Sequence, residues 1–558
     1  MKPVMCSTLF VALATTAMAQ PAVANKGIFN AASDAYIGLP NSSIAQGSIF
    51  TLYGTKLGPS SSPGLGFPLQ TTLGGVTVNV TSGGTTVKAI PMYVSATQIS
   101  AVLPGNTPVG SATLTVNYNG QTSAAASFQV VASSFGIFAA NQAGSGPGII
   151  TNSNYQVLTL TTALHPGDVG IIWGTGIGAS PGDDGSAPPP QTNLTNINVS
   201  VYVGTTQATV LYRGRSFFTG EDQINFQIPS GVLGCHVPIA VQIGNIVSNF
   251  VTMPIAPAGT NTCSDPTGPT TTQLTGIASS GTVRTGGVGL TRTTTTTTLP
   301  TLGTQTSISD GGSAAFDKYT YQQVLSANPF QTFTFGACTV YTFTGSSAAS
   351  VSTGGVTPTY LDAGAQITVS GPNGVKQLPR QETTVSGQTT ISYYASLGSN
   401  TSGQSLYLSP GSYTVSGPGG ADVGAFSQTV NIATPLTWIN SNITTVTRAA
   451  GQQITWSGGD PNSEVVITGF SLVLGTATDG SDSVGGLFYC VAPQSALQFN
   501  IPPVILLSLP ASSVSSLIPI PFGSLTVSNQ IEVPMTIPNI DLAYFSFAAE
   551  TSQSVTFQ

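Results

Sequence analysis

Side chains able to do chemistry are few in this sequence, and their spacing argues against most reactions. His165 and His236 are the only histidines. Neither has an acidic residue at the helical spacing that a catalytic zinc ion needs. Ser180 lies in the string Gly178, Ala179, Ser180, Pro181, Gly182, whose letters match a nucleophile elbow. Pro181 defeats that match: it holds Ser180 extended and lacks the N–H that the residue after the nucleophile gives to an oxyanion hole. Gly174, Gly176 and Gly178 imitate a dinucleotide fingerprint, but residues 180–185 cannot open the helix on which a pyrophosphate rests. Asp460, Asn462 and Glu464 place oxygen atoms at alternate positions, and Asp183 with Asp184 forms a second acidic spot. These are weak calcium candidates, since the EF-hand spacing is absent and turn formation explains both places. No carboxylate pair is marked out for sugar hydrolysis. Trp438 and Trp456 could stack on a sugar ring, although a Trp in an alternating strand normally belongs to the core. No catalytic residue, cofactor or firm metal site is expected.

The cysteines carry a clearer message. Of five, Cys6 falls within an export signal: Lys2 is its positive end, Val4 to Met18 is apolar or small, and Ala17, Met18 and Ala19 fit a cleavage site. Cleavage near Ala19 would start the mature chain at Gln20. The other four cysteines allow three pairings in an oxidising compartment. Cys235 with Cys263 and Cys338 with Cys490 is favoured, because Cys263 follows the last hairpin of a module closely. No transmembrane segment is expected, because the most apolar stretch, Phe499 to Leu525, is broken by five prolines.

The elements that carry these residues read as β throughout. The chain has 558 residues, among them 65 Gly and 38 Pro, and only 6% are charged. Ordinary soluble chains carry roughly 25% charge. The 40% hydrophobic content excludes disorder driven by charge, and twelve scattered basic residues exclude nucleic acid as a partner. An internal repeat follows. Gly47, Gly54 and Gly58 recur as Gly167, Gly174 and Gly178 at an offset of 120, with Tyr53 matching Trp173 and Thr55 matching Thr175. Gln98, Ile99 and Pro104 match Gln223, Ile224 and Pro229 at an offset of 125. Gly120 and Ser123 match Gly244 and Ser248. Val76, Val78 and Val80, like Val199, Val201 and Val203, alternate with polar residues as half-buried strands do. Two β-sandwiches of immunoglobulin type are expected at 36–132 and 150–256.

On these residues two resemblances rest. The run from Gly47 through Tyr53, Gly54 and Gly58 resembles the opening of an IPT/TIG domain, an immunoglobulin-like fold. The second module is similar to a secreted-protein domain found in Solibacter and other Acidobacteria. Its carrying residues are Phe135 to Phe138, Pro166 to Asp168, Trp173 to Gly178, Asp222 to Pro229 and Val247 to Asn249. The resemblance covers about 30–256, and here the module is internal rather than C-terminal. It implies an extracellular structural or adhesive role and brings no catalytic residues.

Beyond 256 the signals weaken. Residues 257–312 read as a Thr-rich connector, with strands near Val283 to Leu290. A helix is expected from Ser313 to Leu325, with Phe316, Tyr319 and Val324 on one face. Strand-like runs follow at 332–343, 365–370, 412–416 and 453–457, and a break near Pro435 divides 313–434 from 435–558. The fold class is therefore all-β: tandem immunoglobulin-like sandwiches and a further β-rich C-terminal region. The expected function is a secreted or cell-surface, non-enzymatic protein that binds an extracellular polymer or surface protein. The alternative is a carbohydrate-binding or carbohydrate-active protein with its site in 313–558.

Overall fold

The computed structural model describes residues 20–186, 190–265, 268–299, 303–327, 334–345, 356–385, 388–477, 482–514 and 520–558. The expected export signal, with Cys6, lies outside them. The fold is all-β, with short α-helices only at Thr271–Ser280, Tyr321–Ser326 and Pro503–Leu507 among these residues.

The first module packs two sheets. One has the order Ala22–Asn30, Ile49–Thr55, Gln98–Val102, Ile90–Val94; the other runs Ile44–Ala45, Ala126–Val131, Gly110–Tyr118, Thr77–Ser82, Thr85–Lys88. Alternation explains the core: Phe50, Leu52, Val78, Val80, Ile99 and Leu114 are fully buried between the sheets. Ala22–Asn30 pairs with Ile49–Thr55, so this module starts before residue 36.

The second module repeats the pairing. Val169–Thr175 lies against Asp222–Gln227 as Ile49–Thr55 lies against Gln98–Val102. Val199–Val203 and Gly234–Ile243 pair as Thr77–Ser82 and Gly110–Tyr118 do. The repeated glycines have a steric cause. A Cβ on Gly54 would collide with the Ala22 carbonyl, and one on Gly174 with the Gly136 carbonyl, so both let a neighbouring strand approach. Ser123 and Ser248 also repeat in detail: each hydroxyl accepts a strand N–H, from Val116 and Val241, and donates to the next carbonyl. One difference stands out. Thr206–Arg215 crosses between the sheets through an irregularity at Val210/Tyr212, so the module forms one nine-stranded sheet.

The C-terminal region departs from expectation in three ways. Residues 257–312 are more than a Thr-rich connector, although the strand expected near Val283 to Leu290 is present within Thr282–Leu299. After the helix Thr271–Ser280, capped by Thr270 and Gln273, they enter the strand Thr282–Leu299. This strand pairs along its length with Gly303–Thr320 and, in parallel, with Leu542–Ser554. Threonine is β-branched and suits a pleated strand, which the Thr-rich composition had obscured. The expected helix at Ser313 to Leu325 is mostly strand. Ala314 and Phe316 are buried at period two, and helix occupies only Tyr321–Ser326, started by the Thr320–Gln323 capping box. Finally, no boundary falls at 435. Cys338–Thr344 pairs with Val484–Pro493, and one thirteen-stranded sheet runs through both halves. Such long-range pairing leaves no local mark in a sequence. The Arg292 guanidinium forks onto Asp310 across the Thr-rich hairpin, at 2.7 and 2.8 Å, and Asp310 also accepts the N–H groups of Tyr407 and Leu408.

Candidate functional site: an aromatic face on the second module

The residues singled out in the sequence scatter. Cys235 is bonded to Cys263 and Cys338 to Cys490, the latter pair directly opposite each other on neighbouring strands. Trp438 and Trp456 are core residues, 5% and 1% exposed, with their indole N–H groups donated to Asn440 and the Gln494 carbonyl. Neither offers a face to a sugar, so the support they lent to a carbohydrate site in 313–558 falls away. The Asp460 carboxylate accepts the Asn462 N–H within its own turn, and Glu464 opens the strand Glu464–Val473. Among the described residues no group of three His, Cys, Asp or Glu could hold a metal. Asp183 accepts from the Gly185 N–H and Asp184 from the Gly105 N–H, closing one side of an open cleft of about 620 Å³ between the modules. Ser180 lines this cleft with its hydroxyl buried and unbonded, and neither histidine reaches it. His165 bonds Asp168 and the Thr260 carbonyl, which raise its pKa; His236 is buried in Gly234–Ile243, and burial lowers its pKa to about 4.

The glycine loop at 174–178 does hold an anion, but an internal one. The N–H groups of Gly176 and Ile177 donate to Asp222 at 2.7 and 2.8 Å, and the Arg215 guanidinium binds the same carboxylate. Burial pushes the Asp222 carboxyl up, and Arg215 with the two N–H groups opposes it. Arg215 also donates to the carbonyls of Gly178 and of Gly47 in the first module, at 3.1 and 2.7 Å. A Cβ on Gly47 would meet that guanidinium. The Thr175 hydroxyl accepts the Ile49 N–H, and the Asn30 amide donates to the carbonyls of Ser134 and Thr175. The two modules are locked together here.

Next to this lock lies a concentrated group of exposed rings. Ile172 and Ile224 face the core, so their neighbours Trp173 and Gln223, paired across the strands, face outward. Trp173 is 9% exposed and donates its indole N–H to Thr151. Tyr155 covers it at 6.0 Å between ring centres, and Phe217 meets Tyr155 edge-on at 6.1 Å. Tyr155, Phe217 and Phe218 are 53%, 47% and 67% exposed. The Phe217–Phe218 turn is fixed by the Ser216 hydroxyl, which accepts the Phe218 N–H and donates to Glu221. Burial raises the Glu221 pKa, and the bond from Ser216 opposes the shift. Beside Trp173, the Gln223 amide donates to Asn225 at 2.7 Å. Exposed rings and the half-buried Asn225 amide thus share this face, with Gln223 buried beside them. Sequence reasoning overlooked it, although two adjacent phenylalanines in a hairpin turn were a usable signal.

No family model matches the chain, and no curated protein does. Solved structures similar to it are β-rich and remote. One is a Bacteroides ovatus surface glycan-binding protein, SGBP-B, in complex with a mixed-linkage heptasaccharide (12% identity, TM-score 0.15, 82% of this chain and 92% of that one). A second is SGBP-B of a Bacteroides uniformis xyloglucan locus (11%, 0.16, 68% and 86%). A third is domains 5–6 of the S-layer protein SbsC (13%, 0.17, 43% and 100%). Likeness at these TM-scores amounts to shared β-richness.

Proposed function

We propose that this chain is an exported, non-enzymatic binding protein that holds a neutral extracellular glycan on the outer face of its second module. The observation that carries this reading is the group of exposed rings Tyr155, Phe217 and Phe218, packed over the buried Trp173, with the half-buried Asn225 amide alongside. Sugar C–H faces pack on the electron-rich faces of such rings, and carboxamides can both donate to and accept from sugar hydroxyls. Two disulfides support an oxidising compartment. Among the described residues no helix is long and apolar enough to cross a membrane. The two N-terminal modules are read as immunoglobulin-like units of the IPT/TIG and acidobacterial kinds. The carbohydrate reading now rests on the second module rather than on 313–558.

Affinity electrophoresis through gels containing mixed-linkage glucan, xyloglucan or galactomannan tests this. Retardation by at least one polymer is expected, with Tyr155→Ala and Phe217→Ala each weakening it about tenfold, as for exposed aromatic anchors. Unretarded migration in every polymer, or retardation untouched by both substitutions, sinks the reading.

A further inference from the structure

The internal repeat has a consequence on the outer faces. In the first module Phe50 and Leu52 point into the core, so Thr51 and Tyr53 face outward. Tyr53 is paired across the strands with Gln98, just as Trp173 is paired with Gln223. Both members of the pair correspond in the repeat, the rings at an offset of 120 and the glutamines at 125. The first module also gathers further rings there. Phe29 lies 5.9 Å from Tyr53 and 5.8 Å from Tyr36, both edge-on. Tyr53 is 41% exposed. In both modules the ring and the amide lie on the side of the sheet away from the sandwich core, with Tyr53 exposed in the first and Trp173 and Gln223 buried in the second.

We infer that the first module carries a second subsite for the same neutral glycan, built on Tyr53 and Gln98 with Phe29 and Tyr36. This rests on the glycan reading of the second module and adds valency to it. The Arg215–Asp222 lock and the bonds of Thr175 and Asn30 across the junction hold the two faces in one fixed relation. A polymer engaged at both faces gains from the high effective concentration of the second contact, whereas a short oligosaccharide fills each face separately.

The test uses the full chain and titration calorimetry with a polysaccharide that retards it and with a short oligosaccharide of the same polymer. Two oligosaccharides per chain are expected. Tyr53→Ala and, independently, Gln98→Ala should reduce this to one and weaken polymer binding about a hundredfold through lost avidity. Tyr53→Phe, which keeps the ring, should retain the second site. Thermal unfolding and the surviving second-module site report that each variant is folded. One oligosaccharide per wild-type chain, with polymer binding unaffected by Tyr53→Ala but lost in Tyr155→Ala, overturns the second subsite and leaves the first reading standing. A wild-type chain that binds neither probe overturns both.

Discussion

The two N-terminal modules share strand pairing, the strand-contact glycines and the serine turn, yet they treat charge in opposite ways. The second encloses Arg215 and Asp222 and uses them to grip the first through the Gly47 carbonyl. In the first, Thr97 stands where the offset of 125 would place Asp222. Beside that module stands instead the half-buried Asp34, whose pKa burial raises to about 6. The repeat therefore preserves the backbone requirements and the outward ring–amide pair, while the ionic lock belongs to one copy. A duplicated sandwich needs only one partner of a junction to carry the fastening groups.

The largest effect that could break this comparison comes from the lock. Asp222→Ala leaves a guanidinium buried without its carboxylate and should cost about 3–5 kcal/mol. Thr97→Ala, at the matching place in the first module, should stay within about 0.5 kcal/mol. Denaturant unfolding with hydrogen exchange at Gly176 and Ile177 measures both, and equal effects would remove the asymmetry. The disulfide sharpens it next. Replacing Cys235 and Cys263 together by Ser should destabilise by about 3–4 kcal/mol in the chain-entropy account of a loop with a separation of 28, seen as a lower melting temperature.

Acid should then separate the modules by sign. His236 in the second module is held neutral, with its pKa lowered to about 4. Its contribution is full above 6.5, the unfolded value, and is lost as pH falls toward 4, a change of about 3 kcal/mol. Asp34 beside the first module behaves oppositely. Its folded pKa is raised, so its contribution is full below 3.8 and lost as pH rises through about 6, again about 3 kcal/mol. His236→Gln should flatten the acid limb of stability and Asp34→Asn the neutral limb; matching limbs in the two variants would contradict the assignment. The smallest effect is local. His165 should titrate above its usual value by NMR, and Asp168→Asn should bring it back part-way, because the Thr260 carbonyl remains.

Much of the N-terminal half was legible because its evidence is local and periodic. Alternating valines mark faces, and glycine spacings mark strand contacts. Asp222 was read only as part of a motif, since nothing in its neighbours announces a carboxylate wrapped by residues 174–178. The C-terminal sheet was harder. Thr293 to Thr298 carry no apolar alternation, and their place is set by Leu542–Ser554, some 250 residues away. Phe316 fits a helix face or a strand face equally, and only the Thr320–Gln323 cap shows where the helix starts. The ring platform escaped because its members come from three separate segments.

The central claim, a neutral glycan on the outer faces of the paired modules, is tested most directly by hydroxyl-radical footprinting of the full chain with and without a saturating polysaccharide. The account predicts protection at Tyr155, Phe217 and Phe218, and at Tyr53 in the first module, with Tyr394 on the C-terminal sheet unchanged as an exposed control. Protection confined to residues 313–558, or none at these rings in a polymer that binds, would contradict it.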